Sequence, residues 1–391
     1  MREELIRRIK QLQQEIIRHN LDAYIVTLED NIWYLANVTY QPEERPFFII
    51  IAPDKLPVLI VPKLEERHLG KIIIDCEIKA YWEYPSPEGE NWFDIVNEAV
   101  KGYHRVGVEN DIKAGILARL SAGEIIPADL VSDLRQIKSP YELQMIKKTA
   151  GICDRSMETI FHNAYKGASV VEMFTLSKSV QQEQIKSKDF DPILTKLLTA
   201  VWPAPASSMP HSIPDLADQV NQGPNVAMCY FRINGYAAEC ERTFFMGRPD
   251  QERQEHFRHM MNARNKALAI VKAGVKCSDI DSEAKNYLIK NGYESRLLHR
   301  TGHGIGQGNH EEPWIAEGND EILKANMVIS IEPAIYIEEI GGFRHSDTVL
   351  VTNDGYELLT KFAVSLEDMT ILKSNRMAQL KGAIIKKALN L

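Results

Sequence analysis

The sequence predicts an α/β domain of roughly 130 residues followed by a larger domain with its own helices and strands. Three observations predict this. Short β-rich runs alternate with helical stretches through the first third of the chain. A strong helix start at Ser139-Pro140-Tyr141-Glu142 closes that rhythm. Beyond it, two apolar runs, VAMCYFRI and YAAECERTFF, flank Asn234-Gly235, the strongest short-range hairpin signal. The domains are therefore expected at 1–138 and 139–391.

Leu5, Ile9, Leu12, Ile16 and Ile17 recur at helical spacing, so residues 3–19 read as an amphipathic helix. AYIVT at 23–27, FFIIIA at 47–52, VLIV at 58–61 and RVGVE at 105–109 read as strands, with helices over 91–99 and 112–120. Residues 121–138 read as a connector. Ser139 and Glu142 then form a capping box with proline at the first helical position. A second capping box, Ser169 to Glu172, opens another helix. Residues 249–272 read as one long helix, and Ser278 to Asp281 caps a shorter one ending near Gly292. NMVISIEPAIYI (326–337) and DTVLVT (347–352) complete the strands.

The chain has 391 residues, 44% hydrophobic and 26% charged, which is ordinary globular usage and excludes a disordered or fibrous chain. Lys plus Arg is 46 and Asp plus Glu is 54, so the net charge is −8. That balance argues against nucleic acid as the partner and fits small neutral or cationic substrates. The five cysteines, Cys76, Cys153, Cys229, Cys240 and Cys277, are odd in number, widely spaced and free of CxxC pairs. They fit neither a disulfide framework nor a thiolate zinc site. The first twenty residues are charged throughout and no apolar run approaches bilayer length, so a cytoplasmic protein with no membrane partner is expected.

Side chains two apart on a strand share a face, so Glu239 and Glu241 point the same way. A tight two-residue turn at Asn234-Gly235 sets Met228 opposite Glu241 on that face. Paired carboxylates repel unless a metal ion, a cationic substrate or an arginine lies between them. The plainer alternative is the exposed face of an edge hairpin, with Glu241 paired to Arg242 or a lysine. Thr301 to Gly308 is a glycine-dense loop carrying His303; it lacks GxxxxGK[ST] and is no phosphate loop. His310-Glu311-Glu312-Pro313 follows and is not HExxH. Glu332 interrupts the apolar run VISIEPAIYI and needs a partner there, structural or functional. His211 lies in a Pro/Ser-rich loop at 202–215 that can hold a side chain without a helix. Arg45 sits at a strand entry, where a surface salt bridge with Glu43 or Glu44 is the plainer expectation.

The motifs YELQMIKKTAGICD, MPHSIPD, INGYAAECERTFF, HRTGHGIGQGNHEEP, VISIEPAIY and GGFRHSDTVLVTNDG, taken in that order, resemble the pita-bread family of methionine aminopeptidases, Xaa-Pro dipeptidases and creatinase. The upstream ERPFF segment resembles the creatinase-type N-terminal domain. The resemblance covers nearly the whole chain. It implies an α/β creatinase-type domain followed by an α+β pita-bread catalytic domain. The peptidase branch holds two divalent ions through Asp, Asp, His, Glu and Glu. Those positions fall here on Met228, Glu239, His303, Glu332 and Ser346. A thioether and a hydroxyl cannot act as anionic oxygen donors.

That departure makes the chain resemble creatinase, the family's metal-free C–N hydrolase, or the ectoine hydrolases of the same fold. The resemblance then implies His211, Glu241, Glu332 and His303 as catalytic residues, and Arg45 as a substrate contact reaching across a homodimer. A second substrate arginine of creatinase falls on Trp314, which could stack on a planar or cationic group. His310 and Glu239 are further substrate-binding candidates. The expectation is a metal-independent hydrolase of a non-peptide C–N bond in a small cationic or zwitterionic molecule. It carries no cofactor and uses His211 as general acid/base, since an imidazole exchanges protons near neutral pH. Two alternatives stand beside it. One is a metal-dependent Xaa-Pro dipeptidase with a degenerate site, holding one Mn, Co or Zn ion on Glu239, His303 and Glu332. The other is a non-catalytic binding module of the same fold.

Overall fold

The computed structural model describes residues 1–40, 43–67, 69, 72–83 and 86–391. They form two compact units, Met1–Arg135 and Gln136–Leu391. The division falls at Arg135/Gln136 rather than after Lys138. Ile137 bridges Met327, and the Lys138 amide donates to the Asn326 carbonyl, so these residues are pinned to the second unit.

The first unit opens with α1 (Arg2–Arg18), which buries Leu5, Ile9, Leu12 and Ile16 and leaves Ile17 exposed. There follow β1 (Ala23–Val26), α2 (Glu29–Ala36), β2 (Phe48–Ile51), β3 (Val58–Pro62), β4 (Glu77–Tyr81), α3 (Trp92–Ala99), β5 (Arg105–Val108), α4 (Ala114–Leu117), β6 (Glu124–Pro127) and α5 (Leu130–Gln136). The strands make one mixed sheet in the order β4-β3-β2-β1-β5-β6, with an apolar core on each face. The stretch expected to be a connector contains β6 and α5. No apolar run announces β6, because it is a half-exposed strand held by parallel pairing to β5.

The second unit begins with α6 (Pro140–Asn163), where Ser139 Oγ accepts from the Glu142 amide and Glu142 returns a carboxylate to the Ser139 amide. Next come α7 (Val170–Phe174), opened by the Ser169–Glu172 box, then α8 (Ser177–Lys186), β7 (Lys196–Trp202), β8 (Asn225–Ile233), β9 (Tyr236–Met246), α9 (Gln251–Ile270) and α10 (Cys277–Lys290). The cap expected at Ser278 is displaced: Lys276 is the N-cap, and Ser278 Oγ bonds Asp320 instead. The remaining elements are β10 (Gly302–Gly304), β11 (Glu311–Ile315), β12 (Val328–Ile331), β13 (Ala334–Ile337), β14 (Gly341–Arg344), β15 (Ser346–Val351), β16 (Tyr356–Leu358), β17 (Thr370–Ile371) and α11 (Arg376–Leu389). The single strand expected over 326–337 is two strands, broken at Glu332-Pro333.

A nine-stranded sheet runs β11-β10-β12-β15-β9-β8-β7, with β16 against β15 and β17 against β9. Strands β13 and β14 form a separate pair. The Asn234-Gly235 turn gives the register expected from a two-residue loop, with Met228 opposite Glu241. Alternation then divides the hairpin. Cys229, Phe231, Ala238 and Cys240 go to the buried face packed on α6, where Cys153 Sγ meets the Ala238 carbonyl. Met228, Tyr230, Glu239 and Glu241 face the opposite way.

Candidate metal centre and substrate cavity

That opposite face closes over a cavity of about 490 Å³. Its walls include Met228, Tyr230, Glu239 and Glu241 from the hairpin, His299, Arg300 and His310 from the glycine-rich segment, and Glu332 and Arg344. Trp202, His211 and Ile213 close another side. The volume suits a small molecule.

Glu239 and Glu241 are not on an exposed edge. Strand β9 lies between β8 and β15, and both carboxylates are buried. Glu239 Oε1 accepts from Ser330 Oγ at 2.7 Å and Ser346 Oγ at 2.9 Å. Ser346 therefore orients a carboxylate. Glu241 pairs with neither Arg242 nor a lysine. Arg344 grips it, Nε to Oε2 at 2.5 Å and Nη2 to Oε1 at 2.7 Å. Burial, with Glu332 and Glu239 close by, pushes the Glu241 carboxyl up to about 8 against the pull of Arg344. Arg344 also donates to Tyr336 Oη at 2.9 Å. Arg242 instead turns to the other side and, with Arg264, holds the buried Asp347.

His303 sits on β10 between two glycines for a steric reason. A Cβ on Gly302 would stand 1.9 Å from the Ser330 carbonyl oxygen, and one on Gly304 2.1 Å from that of Glu312. The glycines let three strands approach closely around the histidine. His303 Nδ1 lies 3.1 Å from its neighbour's carbonyl at Gly304, which fixes the proton there and turns Nε2 toward the acids. Nε2 is 3.3 Å from Glu332 Oε1 and 3.6 Å from Glu239 Oε1, yet it has no hydrogen-bond partner. Burial disfavours a charged His303, but the two carboxylates outweigh it and raise the ring to about 9. Burial likewise works against ionised Glu332, and His303 holds it down at about 2. The geometry demands positive charge at Nε2, whether a proton or a cation.

His310 stacks on His303 with ring centroids 4.0 Å apart. Burial and the charge of His303 lower it to about 4, so it is a neutral imidazole with a free lone pair at neutral pH. One ligand atom each from Glu239, His303 and His310 lies within 4.8 Å of the others. Two nitrogens and one carboxylate oxygen make a donor set that suits Mn, Co or Zn. A single divalent ion fits these residues. A second does not: Met228 offers a thioether, Ser346 is spent on Glu239, and Glu241 is spent on Arg344.

The sequence model of metallopeptidase family M24 matches residues 144–353, and that of the creatinase/prolidase N-terminal domain matches 8–137. The chain belongs to metallopeptidase family M24. It is a hydrolase with a peptidase-like catalytic domain behind a creatinase-type N-terminal domain, the two-part pita-bread architecture expected from its motifs. An uncharacterized peptidase of Staphylococcus aureus strain MRSA252 is 30% identical over 362 residues, spanning 91% of this chain and 99% of the relative. The Xaa-Pro dipeptidase from Bacillus anthracis superposes with TM-score 0.78 at 25% identity, over 93% of this chain and 99% of that one. The N-terminal domain of a FACT complex subunit from chickpea has the same fold, with TM-score 0.76 at 15% identity, over 95% of this chain and 99% of that one.

These findings correct the expectation of a cofactor-free site. The M24 family is one of metallopeptidases, and Glu239, His303 and His310 form a cluster whose ligand atoms could hold a metal ion. The physical reason lies in His310. From sequence it reads as a substrate contact after a loop, but the turn back into β11 stacks it on His303.

The other expected residues are distributed unevenly. Glu239, Glu241, Glu332, His310 and His211 line the cavity, with His303 buried behind them. His211 is exposed at the lip, on a loop fastened by Trp202 Nε1 to the Ser212 carbonyl at 2.6 Å. Trp314 does not line the cavity; Arg300 covers its ring, Cζ 4.4 Å from the centroid. Arg45 lies in the first unit, ion-paired with Glu83 and with Glu44. Sequence reasoning passed over Arg344, His299, Arg300, Ser330 and Tyr336. His299 and Arg300 stand in the HRTGHG motif itself, where only the histidine between glycines carries a local signal. No hairpin or spacing rule brings Ser330 and Tyr336 to Glu239 and Arg344.

Proposed function

We propose that this chain is a metal-dependent dipeptidase of the Xaa-Pro type working with one divalent ion on Glu239, His303 and His310. The observation that carries this reading is the convergence of one ligand atom each from Glu239, His303 and His310 within 4.8 Å of one another. The likeness to the Bacillus anthracis Xaa-Pro dipeptidase supports the substrate class. A bound ion supplies Lewis-acid polarisation of the scissile carbonyl.

The chain's own residues do the rest. Ser330 and Ser346 fix the Glu239 carboxylate, and the Gly304 carbonyl fixes the His303 tautomer. Glu332, which lines the cavity beside the cluster, can take a proton from an attacking water. His211 at the lip can hand a proton to the departing nitrogen. Leu198, Trp202 and Tyr230 give the cavity an apolar wall that can seat an apolar substrate side chain. Elemental content measured beside hydrolysis of Xaa-Pro dipeptides tests the reading. One ion per chain, with hydrolysis lost on chelation and regained with Mn, Co or Zn, is expected. Hydrolysis that survives complete metal removal would overturn it.

Among the described residues no helix is long and apolar enough to cross a membrane. The five free thiols support a reducing, cytoplasmic setting. A homodimer in which Arg45 contacts the neighbouring subunit's substrate is also proposed. Its support is the creatinase resemblance at ERPFF, and a monomer in sedimentation at full activity would contradict it.

A further inference from the structure

We infer that α11 is an interfacial helix that rests its outer face on a membrane surface of anionic phospholipid. Its two faces differ in kind. The inner face is built of small residues and is tied down. Ala378 and Gly382 are buried, and a Cβ on Gly382 would meet Glu172 Oε2 at 1.9 Å and Tyr165 Oη at 2.1 Å. Lys386 Nζ donates to the Gly167 carbonyl at 2.9 Å and lies 3.6 Å from Glu172. Asn375 caps the first turn, accepting from the Met377 amide at 2.9 Å. These contacts seat the helix on the second unit and fix which face it turns outward. That outer face is apolar and uncovered. Met377, Leu380 and Ile384 fall on one stripe at helical spacing, and each is more than half exposed. At about 100° per residue, Arg376 and Lys387 border the stripe on one side and Lys381 on the other. All three cations are exposed.

Charge selects the occupant of this face. From Met369 to Leu391 the chain carries Lys373, Arg376, Lys381, Lys386 and Lys387 and no acid, although its net charge is −8. The helix is a basic island on an acidic protein. A second copy would set lysines against lysines. Nucleic acid would answer the charge but leave Leu380 and Ile384 in water. Anionic lipid answers both features. The boundary of the acyl chains takes the three apolar side chains, and the lysine and arginine stems run along it toward the headgroup phosphates. At 14 residues α11 is too short to span a bilayer, so it lies flat on the surface.

The full chain is floated with vesicles of phosphatidylcholine alone or mixed with phosphatidylglycerol. Wild type is compared with Leu380→Ser/Ile384→Ser and with Lys381→Glu/Lys387→Glu. All four positions are exposed, and thermal melting checks that each variant folds. Wild type is expected to float with the mixed vesicles and not with the neutral ones, and high salt weakens the binding. Each double variant lowers the lipid partition coefficient by about tenfold or more. Wild type left unbound by the mixed vesicles overturns the inference and leaves an acidic protein surface as the occupant. Binding unchanged in Leu380→Ser/Ile384→Ser also overturns it, since charge alone would then account for the attraction. A lipid-free dimer in sedimentation that dissociates in that variant assigns the stripe to a second copy and overturns it as well. Vesicle binding is read without substrate, so it stands or falls apart from the peptidase reading.

Discussion

Arg344 lies along both carboxylate oxygens of Glu241, at 2.5 and 2.7 Å, inside the cavity that Glu239 and Glu332 also line. A guanidinium thus supplies the positive charge that the acids need on that side. Breaking the pair is expected to be costly, because the survivor is a buried lone charge. Arg344→Met should destabilise the protein by about 3–5 kcal/mol, and the double variant with Glu241→Met should recover much of that. Urea unfolding of the single and double variants checks it; additive losses would refute the coupling.

Metal stoichiometry follows from the same pair. Protein equilibrated with Mn, Co or Zn should hold one ion per chain in elemental analysis. His310→Ala should weaken that binding by more than tenfold, read by competition with a chromophoric chelator. Two tightly held ions would show that Met228 and Ser346 do not close the second position.

His211→Ala should lower kcat by about 100-fold or more with metal content unchanged, if His211 carries the proton to the leaving nitrogen. Equal kcat in the two proteins would remove it from the mechanism.

Asp347 ties the sheet beneath the site. It accepts from Arg242 at 2.8 Å, from Arg264 at 2.9 Å and from Thr360 at 3.0 Å. Burial alone would raise its carboxyl, but Arg242 and Arg264 prevail and hold it below the ordinary 3.8. A carboxyl depressed on folding stabilises above its unfolded value and loses that stability as pH falls through the folded one. Unfolding free energy should therefore be level for this group down to about pH 4 and decline below it. Asp347→Asn should flatten that acid limb and cost about 3–5 kcal/mol at neutrality. Urea titrations across pH 2–7 read both effects.

Gly302→Ala should destabilise the second unit by at least about 1–3 kcal/mol, since its Cβ would fall 1.9 Å from backbone oxygen. A melting temperature equal to wild type would show that the strands can part there.

Much of this site is legible in one dimension. The Asn234-Gly235 turn sets the register that places Met228 opposite Glu241, because a two-residue loop leaves the strands a single pairing. Period-two alternation then puts Glu239 and Glu241 on one face, whatever packs above them. The capping box at Ser139 opens the second unit's first helix by purely local hydrogen bonding. What escapes is what long-range pairing decides. Strand β6, four residues ending in proline, is too short to signal itself and is held by its parallel pairing to β5. Glu241 finds Arg344, 103 residues away, rather than its neighbour Arg242, because adjacent strand residues face opposite sides. Trp314 meets the chain's own Arg300 because β11 folds back along β10. The sequence alone determined the acidic face and its turn, since spacing dictates those, while the departures at Met228 and Ser346 are legible only through the family resemblance. Only the tertiary structure decided that His310 joins Glu239 and His303, because side chains from separate strands converge through packing that no local pattern encodes.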